Sequence, residues 1–135
     1  MSLFRQLFAG GRIERLRKES VELSDAIGRQ PSQEEMTPLE RVLEELCELG
    51  YWPAQKSLAN LCGKRIWVAL DWGESDVESA SQATRSGIME FAKSGLLHLS
   101  LFCLGEGQKM DQETWADVER YRQEFERYIE LVMHA

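Results

Sequence analysis

KRIWVALDW, residues 64–72, is the stretch whose reading decides the fold. Ile66, Val68 and Leu70 alternate as the inward positions of a strand do. Leu58, Leu61, Cys62, Ile66 and Ala69 also keep a helical period that crosses Gly63. Glycine inside a helix costs roughly 1 kcal/mol against alanine, so a break at Gly63 is compatible with either reading. The companion stretch LLHLSLFCL, residues 96–104, is dominated by leucine and contains no β-branched residue, which favours a buried helix. Two parallel strands alone would make a meagre sheet. The expected fold is therefore mainly α, a small helical bundle of about five to six helices. The alternative is α+β, with short strands at 65–71 and 96–104.

Upstream, Thr37-Pro38-Leu39-Glu40 has the form of a helix start, with a capping threonine, a proline at the first helical position and a glutamate closing the box. Leu39, Val42, Leu43, Leu46 and Leu49 then line one face as far as Gly50. Ser75-Asp76-Val77-Glu78 has the form of a second capping box, with a helical stripe behind it that Gly95 can stop. Asp111 is placed to cap a long, charged final helix reaching Met133. At the N-terminus Leu3, Phe4, Leu7 and Phe8 form one helical stripe, broken at Gly10-Gly11. A second stripe follows at Ile13, Leu16, Ser20, Leu23 and Ile27, and Gly28 ends it. RQPSQEEM, residues 29–36, carries no apolar period. The expected organisation is one domain: a basic amphipathic helical arm at 1–28, a linker at 29–36 and an acidic helical body at 37–135.

The chain has 135 residues and a formal net charge of −7. That length permits a core without disulfides or metals. The charge is unevenly distributed. Residues 1–18 hold five basic residues against Glu14, a balance of +4. The remaining 11 basic and 22 acidic residues give −11. An acidic body repels phosphate backbones and suits basic or neutral partners. Cys47, Cys62 and Cys103 are odd in number and unpatterned, the usage of buried thiols in a reducing compartment, and a cytoplasmic location is expected. The longest apolar run, Leu96 to Leu104, is far short of the roughly 20 residues needed to span a membrane.

Each candidate chemistry meets a plainer reading. Glu44 and Glu48 share a helix face one turn apart, but His98 and His134 cannot supply the Glu-x-x-His steps of a helical di-iron site. His98 and Cys103 stand five residues apart, which points them in different directions on a helix. Asp71, Glu74 and Asp76 flank Gly73 without the spacing of a calcium loop. No glycine-rich phosphate loop is present. No catalytic, cofactor-binding or metal residue is therefore expected.

The stretch AQKSLANLCG, residues 54–63, resembles the second helix of helix-turn-helix repressors at Gln55, Leu58, Ala59 and Gly63. The resemblance covers ten residues and implies a DNA-binding unit at 39–72. A recognition helix would then be Ile66, Trp67, Val68, Ala69 and Leu70, whose side chains are those of a core and not of a base-reading surface.

The expected function is a non-enzymatic protein-binding regulator: an inhibitor, an immunity-type antagonist or a chaperone-like adaptor. The alternatives are a nucleic-acid-binding regulator built on a degenerate helix-turn-helix, and a small enzyme whose site residues are dispersed. Two surfaces are candidates for the partner, whose identity the sequence does not supply. One is the arm, through Leu3, Phe4, Leu7 and Phe8 with Arg12 and Arg15. The other is the final helix, where Val118, Tyr121, Phe125, Tyr128 and Val132 step by three and four, and Trp115 widens the seam. That seam either packs within the chain or joins two copies as a homodimer.

Overall fold

The computed structural model describes the backbone of residues 3–135 and the side chains of residues 10–135. Five α-helices carry the chain: α1 (Leu3–Ala26), α2 (Gln33–Glu48), α3 (Pro53–Ala69), α4 (Gln82–Glu106) and α5 (Gln112–Met133). Single 3-10 turns follow α3, at Asp71–Gly73, and α4, at Gly107–Lys109. The mainly α reading holds. Residues 65–71 and 96–104 are helical or in the turn after α3, and no strand occurs among the described residues.

The physical reason lies in the glycines. Gly63 does not break α3, and Gly95 does not stop α4. Both face Phe125 of α5, which is 1% exposed. A Cβ on Gly95 would meet three atoms of the phenyl ring, with Cε1 at 2.7 Å. A Cβ on Gly63 would stand 4.0 Å from Cζ of the same ring. The two glycines form a slot, and the helix-propensity cost they carry is offset by burial of a whole aromatic side chain.

Helix starts also differ from the sequence expectation. α2 begins four residues before Thr37. Ser32 accepts from the Glu35 amide at 3.2 Å, and the Glu35 carboxylate accepts from the Ser32 amide. This reciprocal box leaves Pro38 inside the helix. The connection from α1 is residues 27–32, shorter than the linker expected at 29–36. α4 begins after Ser81, whose hydroxyl accepts from the Thr84 amide at 3.1 Å. The box expected at Ser75 is instead a turn, in which Asp76 Oδ1 accepts from the amide of Ser79 at 2.8 Å and from its hydroxyl at 2.6 Å. Gly10-Gly11 lies within α1 and does not divide it. Asp111 caps α5 as expected, accepting from the Thr114 amide at 2.8 Å.

α3 is the shared wall between two apolar clusters. Leu58 and Leu61 of α3 join Leu39, Leu43 and Leu46 of α2 and Leu16 of α1 on one side. Ala59, Cys62 and Ile66 join Ile88, Ala92, Leu99 and Phe102 of α4 and Val118 and Phe125 of α5 on the other. A buried polar link ties α2 to α3. The Arg65 guanidinium, 8% exposed as a residue, donates to Glu40 at 2.6 Å and to the carbonyl and side-chain oxygens of Gln33 at 3.1 and 2.9 Å. Gln33 donates back to the Arg65 carbonyl at 2.9 Å. Each of the three guanidinium nitrogens thereby has a partner on the neighbouring helix, which fixes the register of α2 on α3. Residues Gln82–Lys109 are long and apolar enough, by length and composition, to cross a membrane. Here Ile88, Ala92, Leu99 and Phe102 spend that apolarity on the core, while Leu97 and Leu104 remain exposed.

Candidate protein-binding cleft

Among the described residues, α1 docks on α2 and approaches no other helix closely. Leu16 is buried, and Ile13, Leu23 and Ile27 pack beside it. These are the positions of the second stripe, three and four apart, so one face of α1 is used. Arg12 pairs with Glu45 of α2, and the Arg17 guanidinium lies 5.0 Å from the centre of the Tyr51 ring. Because α3 packs on the opposite flank of α2, a cleft of about 750 Å³ opens between α1 and α3. Leu43 and Leu46 of α2 lie buried beneath its base, and Val21, Tyr51 and Pro53 supply its accessible apolar surface. A smaller space of about 190 Å³ shares Ser20, Val21, Leu43 and Ser57 with it and extends the cleft toward Asn60 and Lys64.

The cleft combines an apolar base with a basic rim. Val21 projects from α1 with 60% of its surface exposed. Arg15, Arg17 and Lys18 line the α1 side and Lys64 lies at the α3 end. The acidic group among these lining residues is Glu14, which accepts from Arg17 at 2.8 Å. A locally positive groove on a chain of net charge −7 is an electrostatic contrast.

The groups whose ionisation is displaced lie away from the cleft. Burial, with Glu44 and Glu48 nearby, pushes the Cys47 thiol up to about 11. Burial and Glu40 push Cys62 up to about 12, and burial alone raises Cys103. Such thiols are protonated near neutral pH and are poor nucleophiles. Burial lowers His98, against an opposing pull from Glu40. His98 Nδ1 is 2.7 Å from the side-chain oxygen of buried Gln55, so the ring is bound to α3 and not to Cys103. Glu44 is raised by burial and then by Glu40. Among the described residues no group of three or more His, Cys, Asp or Glu side chains is placed to hold a metal ion.

The interaction residues read from the sequence separate into distinct places. The side chains of Leu3, Phe4, Leu7 and Phe8 lie outside the described residues. Arg12 is tied to Glu45, while Arg15 lines the cleft. Phe125 is in the core, and Tyr121 and Tyr128 pack against the same cluster. Trp115 remains 46% exposed beside Gly107. Residues 54–63, which resemble part of a helix-turn-helix, run on without a turn to Ala69, and Ile66 is fully buried. Not singled out from the sequence were Val21 of α1 and Ser57 and Lys64 of α3, which line the cleft from two helices and share no local motif. No protein-family model matches this chain, and no curated protein or solved structure matches it.

Proposed function

We propose that this chain is a non-enzymatic protein-binding regulator that holds a segment of a partner protein in the cleft between α1 and α3. The observation that carries this reading is the combination of an apolar floor of exposed Val21 with half-buried Tyr51 and Pro53 and a basic rim in one open groove. Apolar anchors on a partner fill such a floor, and charged side chains at the rim set which partner enters. The class spans inhibitor, immunity-type antagonist and chaperone-like adaptor. Three free thiols, all raised in pKa, suit a cytoplasmic setting.

The test replaces Val21 with a photo-crosslinking amino acid in the full chain, expressed in its source cell. A parallel variant carries the same group at Ser79, an exposed position in the turn before α4. The expected result is a protein adduct at position 21, mapping to one segment of one partner, without the same adduct at position 79. Equal capture at both positions, or none at position 21, overturns the reading.

A further inference from the structure

We infer that the segment seated in this cleft is an acidic amphipathic helix; the inference rests on the protein-binding reading of the cleft and specifies its partner. Shape comes first. The α1 wall runs from Glu14 to Ser24, which at about 1.5 Å per residue is roughly 15 Å, or three helical turns. Its opposite wall is also a helix, along Ser57, Asn60 and Lys64 of α3. Two helices flanking a third leave the place of a fourth, whose apolar stripe would lie against Val21, Tyr51 and Pro53 above the buried Leu43 and Leu46. Such a segment presents anchors at i, i+3, i+4 and i+7.

Charge then selects among helices. Four cations, Arg15, Arg17, Lys18 and Lys64, border the space; Arg17 pairs with Glu14, which leaves a balance of +3 carried by Arg15, Lys18 and Lys64. Glutamates flanking the stripe of an entering helix meet these cations at the rim. Lysines there would meet like charge, which disfavours that partner. Ser20, Ser24, Ser57 and Asn60 lie among the cations and offer neutral hydrogen bonds to the same carboxylates. A polyanion such as DNA would satisfy the rim but not the apolar surface at Val21, Tyr51 and Pro53, and the excess of acidic over basic residues in 19–135, a charge of −11, repels it.

The experiment uses the full chain and two synthetic helical peptides of about 16 residues, long enough to cover three turns with capped ends. Both carry the same leucine stripe. One has glutamate at every flanking position and the other lysine. Binding is followed by fluorescence anisotropy of labelled peptide and by amide shifts of isotopically labelled protein. The glutamate peptide is expected to bind at least about tenfold more tightly than the lysine peptide, to weaken with added salt and to shift residues of α1 and α3. Val21→Glu and Lys18→Glu, both at exposed positions, should each weaken it by about tenfold or more while leaving the helical circular dichroism unchanged. Equal or tighter binding of the lysine peptide overturns the acidic preference. No binding of either, or shifts confined to α4 and α5, overturns the helix itself. Displacement of the glutamate peptide by a single-stranded oligonucleotide at lower concentration would transfer the site to nucleic acid. If cross-linking at position 21 still maps to one partner segment while both peptides fail, the protein-binding reading survives and the acidic helix does not.

Discussion

Gly95→Ala should destabilise the fold, and Gly63→Ala should stabilise it, although both replace a glycine inside a helix. A Cβ on Gly95 would stand closer to three atoms of the Phe125 ring than side chains tolerate, with Cε1 at 2.7 Å. The ring is 1% exposed within the core and its tip also lies near Gly63, so it has little room to withdraw. Overpacking of this kind costs about 2–3 kcal/mol, from which about 1 kcal/mol is recovered as helix propensity. The net loss is about 1–2 kcal/mol, or a fall in Tm of roughly 3–10 °C for a chain of this size. At Gly63 the new methyl would meet Phe125 at an ordinary 4.0 Å, so the propensity gain of about 0.5–1 kcal/mol remains. Thermal and urea unfolding read both effects. The diagnostic is the double-mutant cycle with Phe125→Leu, which shortens the ring and should relieve most of the Gly95→Ala penalty, giving a coupling of about 1 kcal/mol or more. A Gly95→Ala protein at least as stable as wild type, or strict additivity with Phe125→Leu, would refute the slot.

Arg65→Met keeps the aliphatic stem but removes the guanidinium, so Glu40 and the Gln33 carbonyl lose their donors; because Glu40 is one-third exposed, the loss should be about 2 kcal/mol in urea unfolding. Combining it with Glu40→Leu should return stability to within about 1 kcal/mol of wild type, since no carboxylate is then left unpaired. His98 has its folded pKa lowered, so the unfolded chain binds more protons and stability must fall as pH drops through the unfolded histidine value near 6.5. The difference in unfolding free energy between wild type and His98→Gln should therefore change between about pH 7 and 5, and a difference constant over that window removes the linkage. All three cysteines, raised in pKa by burial, should react with a thiol reagent at pH 7–8 far more slowly in the native protein than in denaturant; rapid native labelling of Cys62 would contradict its burial.

Where the determinants are local, the sequence is a reliable guide. Leu39, Val42, Leu43 and Leu46 recur at helical spacing and are all buried on α2. Asp111 stands alone before a long periodic stretch and caps it. Two competing signals of the same kind misled. Thr37-Pro38 and Ser75-Glu78 each look like helix starts, but Ser32 and Ser81 provide the caps, because Ser32 and Glu35 form a reciprocal box that starts α2 ahead of Pro38 and because Asp76 is used by its own turn. The glycines were illegible for a different reason. Gly63 and Gly95 are 32 residues apart and acquire meaning only from Phe125, a partner no window contains. The cleft is harder still. Leu43 and Leu46 read as plain core, Val21 as a surface residue, and Arg15 and Lys18 as part of a basic arm; their convergence depends on α1 lying on α2 without reaching α3.

The narrow attachment of α1 has a kinetic meaning. Among the described side chains Leu16 is the one that α1 buries fully, and it joins the cluster on the α2 side of the shared wall. Detaching α1 leaves the Phe125 slot, Ile66 and the packing of α3 on α4 and α5 untouched. Its amides can therefore exchange hydrogen through an opening that does not require global unfolding, whereas those of α4 must wait for the slot to come apart. A ligand lying across the cleft would press on both walls and add its binding free energy to the protection of α1 alone, so occupancy should be readable as slowed exchange in the first helix while the rest of the molecule keeps its rates.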